Sequence, residues 1–330
     1  NPGKNTAGRV AGEATLDTLE IIRQTETVLA WMVDNQLDIR TALSMTTDVY
    51  SPIFTPELHN FTHNLYTSLI GDSVASSHQT NEPISPELAK RLHQAIAPVF
   101  KSKPNVMGKL LQWQDFFFRT ADGTAAYGLG DFWADVIRVH GTEPEESDSQ
   151  ASANIARYSQ GMAQYALISQ WADLTEQDLY LIVDCPSWFM PDAGVEPSMP
   201  LLLRIARLKQ WLSRIVVPAS EAFGYFEMAN QQGQVPVQAL AALATIHGWD
   251  SKKTVLMNSY LISKNIYQGF PKYLDDVFHL ETWMQASAHL NVGSNCIAQL
   301  FEMSRPQSVH PGLSNLIRGV AEQLSAAIKN

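Results

Sequence analysis

The stretch Thr55-Pro56-Glu57-Leu58-His59-Asn60-Phe61-Thr62-His63-Asn64-Leu65-Tyr66-Thr67-Ser68-Leu69 decides the fold class. Thr55 offers a side-chain oxygen to a helix N-terminus, Pro56 sits in the first turn where its missing N–H costs nothing, and Glu57 faces the positive end of the helix dipole. Behind that start Leu58, Phe61, Leu65 and Leu69 recur at helical spacing and predict one buried stripe. Ser85-Pro86-Glu87-Leu88 repeats the device ahead of Leu92, Ile96 and Val99.

Working outward, Leu19, Ile22, Leu29, Met32 and Val33 predict an earlier helix with a shared apolar face, extended by Trp31 and Leu37. Downstream, the same periodicity predicts helices over 155–170, 176–183, 201–215, 221–229, 237–247, 251–263, 273–289 and 313–328. Pro218, Pro236, Pro271 and Pro306 fall between them, where proline ends helices cheaply. Alternation at strand period is nearly absent, and Ile215-Val216-Val217 is too short for a sheet and reads as a helix end. The expected fold is all-α: an irregular α-solenoid or bundle of about a dozen helices.

Three consecutive phenylalanines, Phe116 to Phe118, and the glycines Gly123, Gly128 and Gly130 interrupt the pattern, so 122–131 reads as a loop. Glu143, Glu145, Glu146 and Asp148 follow with no Lys or Arg between Val139 and Arg157, as in a solvated linker. The expected organisation is an N-terminal helical lobe over 1–142, an acidic linker over 143–154 and a C-terminal helical lobe over 155–330.

With 330 residues and 45% hydrophobic composition the chain can bury a large core, which excludes disorder and disulfide-dependent miniproteins. A net charge of -10 without a Lys/Arg cluster excludes a nucleic-acid surface. Cys185 and Cys296 fit neither a zinc spacing nor a disulfide framework. The first residue is Asn1, residues 1–20 hold no signal-peptide core, and no apolar run reaches transmembrane length. The expectation is a soluble segment excised from something larger.

A helix-pair pattern recurs weakly: a helix with Trp late in it, a short apolar turn, then a second helix. Trp31 leads to Leu37-Asp38-Ile39 and then Leu43 and Met45; Trp283 leads to Leu290-Asn291-Val292 and then Ile297, Leu300 and Met303. Trp171 and Trp211 open looser copies. The structural residues of this reading are Trp31, Leu37, Ile39, Trp171, Trp211, Trp283, Leu290 and Val292, with each Trp filling space between stacked pairs.

Candidate chemistry is sparse. His59 and His63 stand at i and i+4, where two imidazoles can meet one metal, but Asn60 occupies the place of the general-base Glu and both rings fall off the apolar stripe, toward solvent. Gly71-Asp72-Ser73-Val74 follows a helix and not a strand, so Gly71 reads as a left-handed helix C-terminal glycine and not a nucleophile turn. Gly128-Leu129-Gly130 has Trp133 where a dinucleotide fingerprint needs glycine. Asp275-Asp276 and Glu145-Glu146 are neighbours that point about 100° apart on a helix and read as solvated acids. Cys185 has no base close in sequence and reads as a buried structural thiol. Asn60-Phe61-Thr62 matches a glycosylation sequon inside a predicted helix with Phe61 buried. The apolar stripe Leu313, Leu316, Val320, Leu324 and Ile328 reads as a partner-binding face. No catalytic, metal or cofactor site is expected.

Thr18-Leu19-Glu20, the Trp31 helix, Ala42-Leu43-Ser44-Met45-Thr46-Thr47 and Phe54-Thr55-Pro56-Glu57-Leu58 together resemble the A subunit of bacterial Tc insecticidal toxin complexes, in its α-helical outer shell. The 278–305 stretch, with Leu280, Trp283, Leu290, Val292, Ile297 and Leu300, is similar to the helix-pair unit of that region, although Gly293-Ser294 and Arg40-Thr41 replace the Pro found there. The resemblance implies a secreted or cell-surface, non-enzymatic toxin fragment: part of a shell around a translocation channel, homopentameric in the intact parent. It also implies B and C subunits as partners, a target-cell receptor bound through other regions, and membrane contact only through pore helices outside this segment. Two other readings stand beside it: a metal-dependent hydrolase using His59 and His63, and a free-standing helical scaffold that takes peptides in a groove.

Overall fold

In the computed structural model, residues 21–289 are described except 24, 48–49, 72–77, 79–82, 121–122, 124, 142–147 and 192–193. Among them the fold is all-α, and the one β pairing is an isolated antiparallel bridge between Arg119 and Ala126. Leu290, Val292, Cys296, the 313–328 stripe, Asp72 to Val74 and Glu143 to Glu146 lie outside the described residues.

Two compact units interleave along the chain. The first comprises 1–84, 118–171 and 197–206; the second comprises 85–117, 172–196 and 207–330. This division does not follow the acidic segment, because residues 148–154 are the opening turns of a 24-residue helix. Ala151 and Ile155 are already buried there, so residues 148–154 belong to a helix and not to a linker.

The first unit holds α1 (residues 25–34), α2 (Ile39–Thr46), α3 (Pro56–Leu69), α6 (Leu129–Gly141) and α7 (Asp148–Trp171). Asp38 caps α2 by accepting from Thr41 N at 2.9 Å, and Thr55 caps α3 by accepting from Leu58 N at 3.3 Å. α3 packs on α6, and α7 packs on both α6 and α2. The core here is Leu65, Phe132, Trp133, Val136, Ile155, Tyr158 and Met162. The segment read as a loop ends earlier than expected: Gly128 is the residue ahead of α6, and its N–H donates to Asp131 Oδ2 at 3.1 Å, one half of a capping box. Gly71 is not left-handed, and the helix before it ends through Ile70 in ordinary right-handed conformation.

Burial also corrects the first apolar stripe. Met32, Leu37, Ala42 and Met45 are buried, but Ile22 and Leu29 are exposed, and Val33, Ile39 and Leu43 expose 77%, 59% and 57% of their surface. Ile39 is therefore not a packing residue among the described elements. Helices α1 and α2 are separated only by the turn at 35–38, and their inward faces are filled by Met and Ala.

The second unit contains α4 (Pro86–Ile96), α5 (Pro104–Asp115), α8 (Glu176–Leu179), a π-turn (Tyr180–Asp184), α9 (Pro186–Phe189), α11 (Ala219–Ala229), α12 (Pro236–His247), α13 (Ser251–Ser263) and α14 (Leu274–His289); α10 (Met199–Leu212) begins in the first unit's range and ends in the second's. Helices α11 to α14 pack each on the next, and α5 packs on α4, α8 and the π-turn. Glycine at 108 permits the α4–α5 approach: a Cβ there would lie 2.7 Å from His93 Nδ1. Trp113 is fully buried on α5 and its Nε1–H donates to the Val195 carbonyl at 2.8 Å. Pro218, Pro236 and Pro271 stand at or beside helix starts, as their missing N–H groups require. Ile215 to Val217 follow the end of α10, and Val216 N–H donates to the Ile246 carbonyl at 2.9 Å.

Candidate functional site

Three histidine rings gather where α3 packs on α6. A helix with i, i+4 histidines places His59 and His63 one turn apart, and their rings lie 6.1 Å apart with planes within 7° of parallel. The spatial partner is His140 in the last turn of α6, with ring centroids 5.0 Å from His59 and 5.4 Å from His63. Phe54 meets His59 edge-on at 6.0 Å, and Tyr66 lies 5.8 Å from His140.

As expected from the helical wheel, His59 and His63 are exposed; His140 is half-buried. Thr62 sits between the two α3 histidines and is fully buried. Its Oγ1 lies 3.0 Å from the Leu58 carbonyl, 3.1 Å from the His59 carbonyl and 2.8 Å from His140 Nε2. A hydroxyl has one proton, and a helical Thr ordinarily gives it to the preceding turn, so Thr62 accepts from a His140 Nε2–H. Burial, then the neighbouring His59 and His63, hold His140 down to about 4, so the ring is neutral at pH 7.

These rings do not form a metal centre as they stand: among the described residues no three His, Cys, Asp or Glu side chains are placed to hold an ion. His140 is the member that the sequence reading missed. Its one local signal was a basic residue in the last turn of a helix, which favours the dipole but names no partner.

The other candidates resolve into structural roles. Asp276 accepts from Lys272 N at 3.0 Å and Tyr273 N at 3.2 Å, capping α14, and burial raises its carboxyl. Cys185 is half-buried, and burial pushes its thiol up, which suits an inert thiol. Asn60 is exposed and Phe61 half-buried within α3. Of the helix-pair tryptophans, Trp31 and Trp171 meet edge-on at 6.0 Å within the first unit. Trp211 is fully buried against Phe226 and His247, and Trp283 meets Tyr260 at 5.8 Å.

A cavity of about 450 Å³ lies between α2 and α7, lined by Leu43, Thr47, Tyr50, Gln160, Gln164 and Leu167 among others. Its polar walls are already engaged. Gln164 donates to the Thr47 carbonyl at 2.8 Å and accepts from the Tyr50 hydroxyl, while Gln160 pairs with both the N–H and the carbonyl of Ser51.

No protein-family model matches the chain, and no curated protein is similar to it in sequence. Among solved structures it is similar to the cryo-EM structure of Yersinia pseudotuberculosis TcaA-TcaB, with a TM-score of 0.51 at 22% identity. What the two share is a fold. The likeness covers 94% of this chain and 14% of that one, so the chain spans a small part of its neighbour's length. No helix among the described residues is long and apolar enough to cross a membrane.

Proposed function

We propose that this chain is a non-enzymatic helical segment of the A component of a Tc toxin complex, a piece of the wall around its translocation channel. The observation that carries the reading is the match along 94% of the chain to a segment of TcaA-TcaB, a Tc toxin component. Of the residues that resemble the Tc A subunit in sequence, Trp31 lies on α1, Ala42 to Thr46 lie on α2 with Thr47 just after it, and Phe54 and Thr55 lead into Pro56 to Leu58 at the start of α3, all in the first unit. A wall needs helices that bury apolar faces against each other and present polar ones outward, and within the first unit α3, α6 and α7 meet that need through Leu65, Trp133 and Tyr158.

In this reading the intact parent is an extracellular homopentamer that joins B and C subunits and binds its target cell through other regions. Negative-stain electron microscopy of the full-length parent tests it. Bell-shaped pentamers with a central channel are expected; small monomeric particles overturn it. The non-enzymatic part is tested separately by hydrolase assays on the chain with and without added Zn²⁺, where turnover lost in His59→Ala would overturn that part.

A further inference from the structure

Three imidazoles share one side of the α3–α6 contact, with ring centroids 5.0, 5.4 and 6.1 Å apart. Neutral, they pack against one another and against Phe54 and Tyr66. Positively charged at the same spacing they repel, more strongly at a half-buried ring than in open water. His140 is the pivot, because its Nε2 is committed to Thr62 and a second proton on Nδ1 needs a new acceptor at a half-buried site.

The surrounding charges do not offset this. Glu57 lies in the first turn of α3, ahead of both histidines, and Arg138 on α6 pairs with Asp135 at 3.3 Å. The charges acting on His140 are those of His59 and His63, which have its own sign. Glu143, Glu145 and Glu146 follow in sequence outside the described residues.

We propose that His59, His63 and His140 form an acid-sensitive latch, which holds α3 against α6 when neutral and loosens that contact when the cluster takes up protons. The inference concerns the first unit alone and stands or falls independently of the toxin reading.

Amide hydrogen exchange on the full chain, corrected for the intrinsic pH dependence of exchange, tests it helix by helix. Between pH 7 and pH 5 the α3 amides are expected to lose protection by about tenfold more than those of α13, which carries no histidine. In His140→Gln most of that difference disappears. Should that variant not fold, the double variant His59→Gln/His63→Gln, altered only at exposed positions, is expected to shrink the difference without abolishing it, because burial of His140 is the larger cause. Equal α3 protection at both pH values in the unaltered chain overturns the latch, as does a full response surviving in the double variant. A chain with Glu143, Glu145 and Glu146 changed to Gln keeps the response; losing it there would assign the effect to the carboxylates and overturn the proposal.

Discussion

Trp211 and the Trp31–Trp171 pair occupy the same place in the helix-pair pattern, late in a long helix, and meet different fates. Trp211 is fully buried, packs edge-on against Phe226 at 6.2 Å and donates its Nε1–H to His247 Nε2 at 3.1 Å. Trp31 and Trp171 are both half-buried, and Trp171 Nε1–H makes a long 3.4 Å bond to the Asn35 carbonyl. The lesson is that an aromatic at a repeat position becomes core only where the following helices supply both a ring and an acceptor. Helix α11 supplies the Phe226 ring and α12 the acceptor at its last residue, His247; beyond the left-handed Gly248, the Trp249 ring stacks on His247 at 3.8 Å. The turn after α1 supplies only a backbone carbonyl.

The sharpest way to break this comparison is truncation. Trp211→Ala is expected to cost about 3–5 kcal/mol in urea unfolding, the usual range for a buried Trp. Trp171→Ala is expected to cost about 1–2 kcal/mol, because half of its area and one edge contact are at stake. Equal losses would show that the pattern and not the local partner sets the energetics.

Next in size is Asp178, almost fully buried, whose carboxylate takes the Thr175 N–H at 2.8 Å in a capping box and Lys209 Nζ at 3.0 Å. Asp178→Ala leaves a cation and a helix start without their partner and is expected to cost about 2–3 kcal/mol by the same unfolding measurement, less than a fully dry ion pair because Lys209 keeps some solvent.

Acid comes third. Burial lowers His247 to about 4, and it must give up the Trp211 bond when protonated. A lowered histidine binds fewer protons folded than unfolded, so its stability contribution is complete above the unfolded value near 6.5 and is lost as pH falls toward 4. Up to about 2 kcal/mol is expected to disappear between pH 7 and pH 5, and His247→Gln flattens that slope in unfolding curves at the two pH values. The smallest effect expected is Thr55→Ala at the exposed start of α3, about 1 kcal/mol, read as a small drop in the unfolding midpoint.

What could be read from sequence followed range. Thr55-Pro56-Glu57 and Ser85-Pro86-Glu87 act within one turn, and both caps form, with Thr55 and Ser85 accepting from Leu58 N and Leu88 N. The 251–263 helix has the predicted bounds because Asp250 caps it locally. Helix α5 escaped notice since Lys103 makes no side-chain cap, leaving Pro104 as its one start signal. The start of α6 escaped because Gly128 and Gly130 read as breakers, while Asp131 does the capping from inside the helix. The exposure of His59 and His63 follows from the stripe of α3 alone. Their meeting with His140 depends on a contact across 77 to 81 positions (140 minus 63 and 140 minus 59), which no periodicity encodes.

The π-turn at Tyr180–Asp184 takes up one residue more than an α-helix spends on the same rise, and it brings Asp184 to Lys109 Nζ at 2.6 Å and Gln112 Nε2 at 3.1 Å. Deleting a single residue there would let the turn relax to α-helix over the same rise, so the chain beyond it would keep its direction. Asp184 and the short helix α9 would then keep their neighbours, and only the bulge would be lost. These five residues act as slack: they absorb a change of one residue that an ordinary α-helical turn would pass on as a rotation of about 100°.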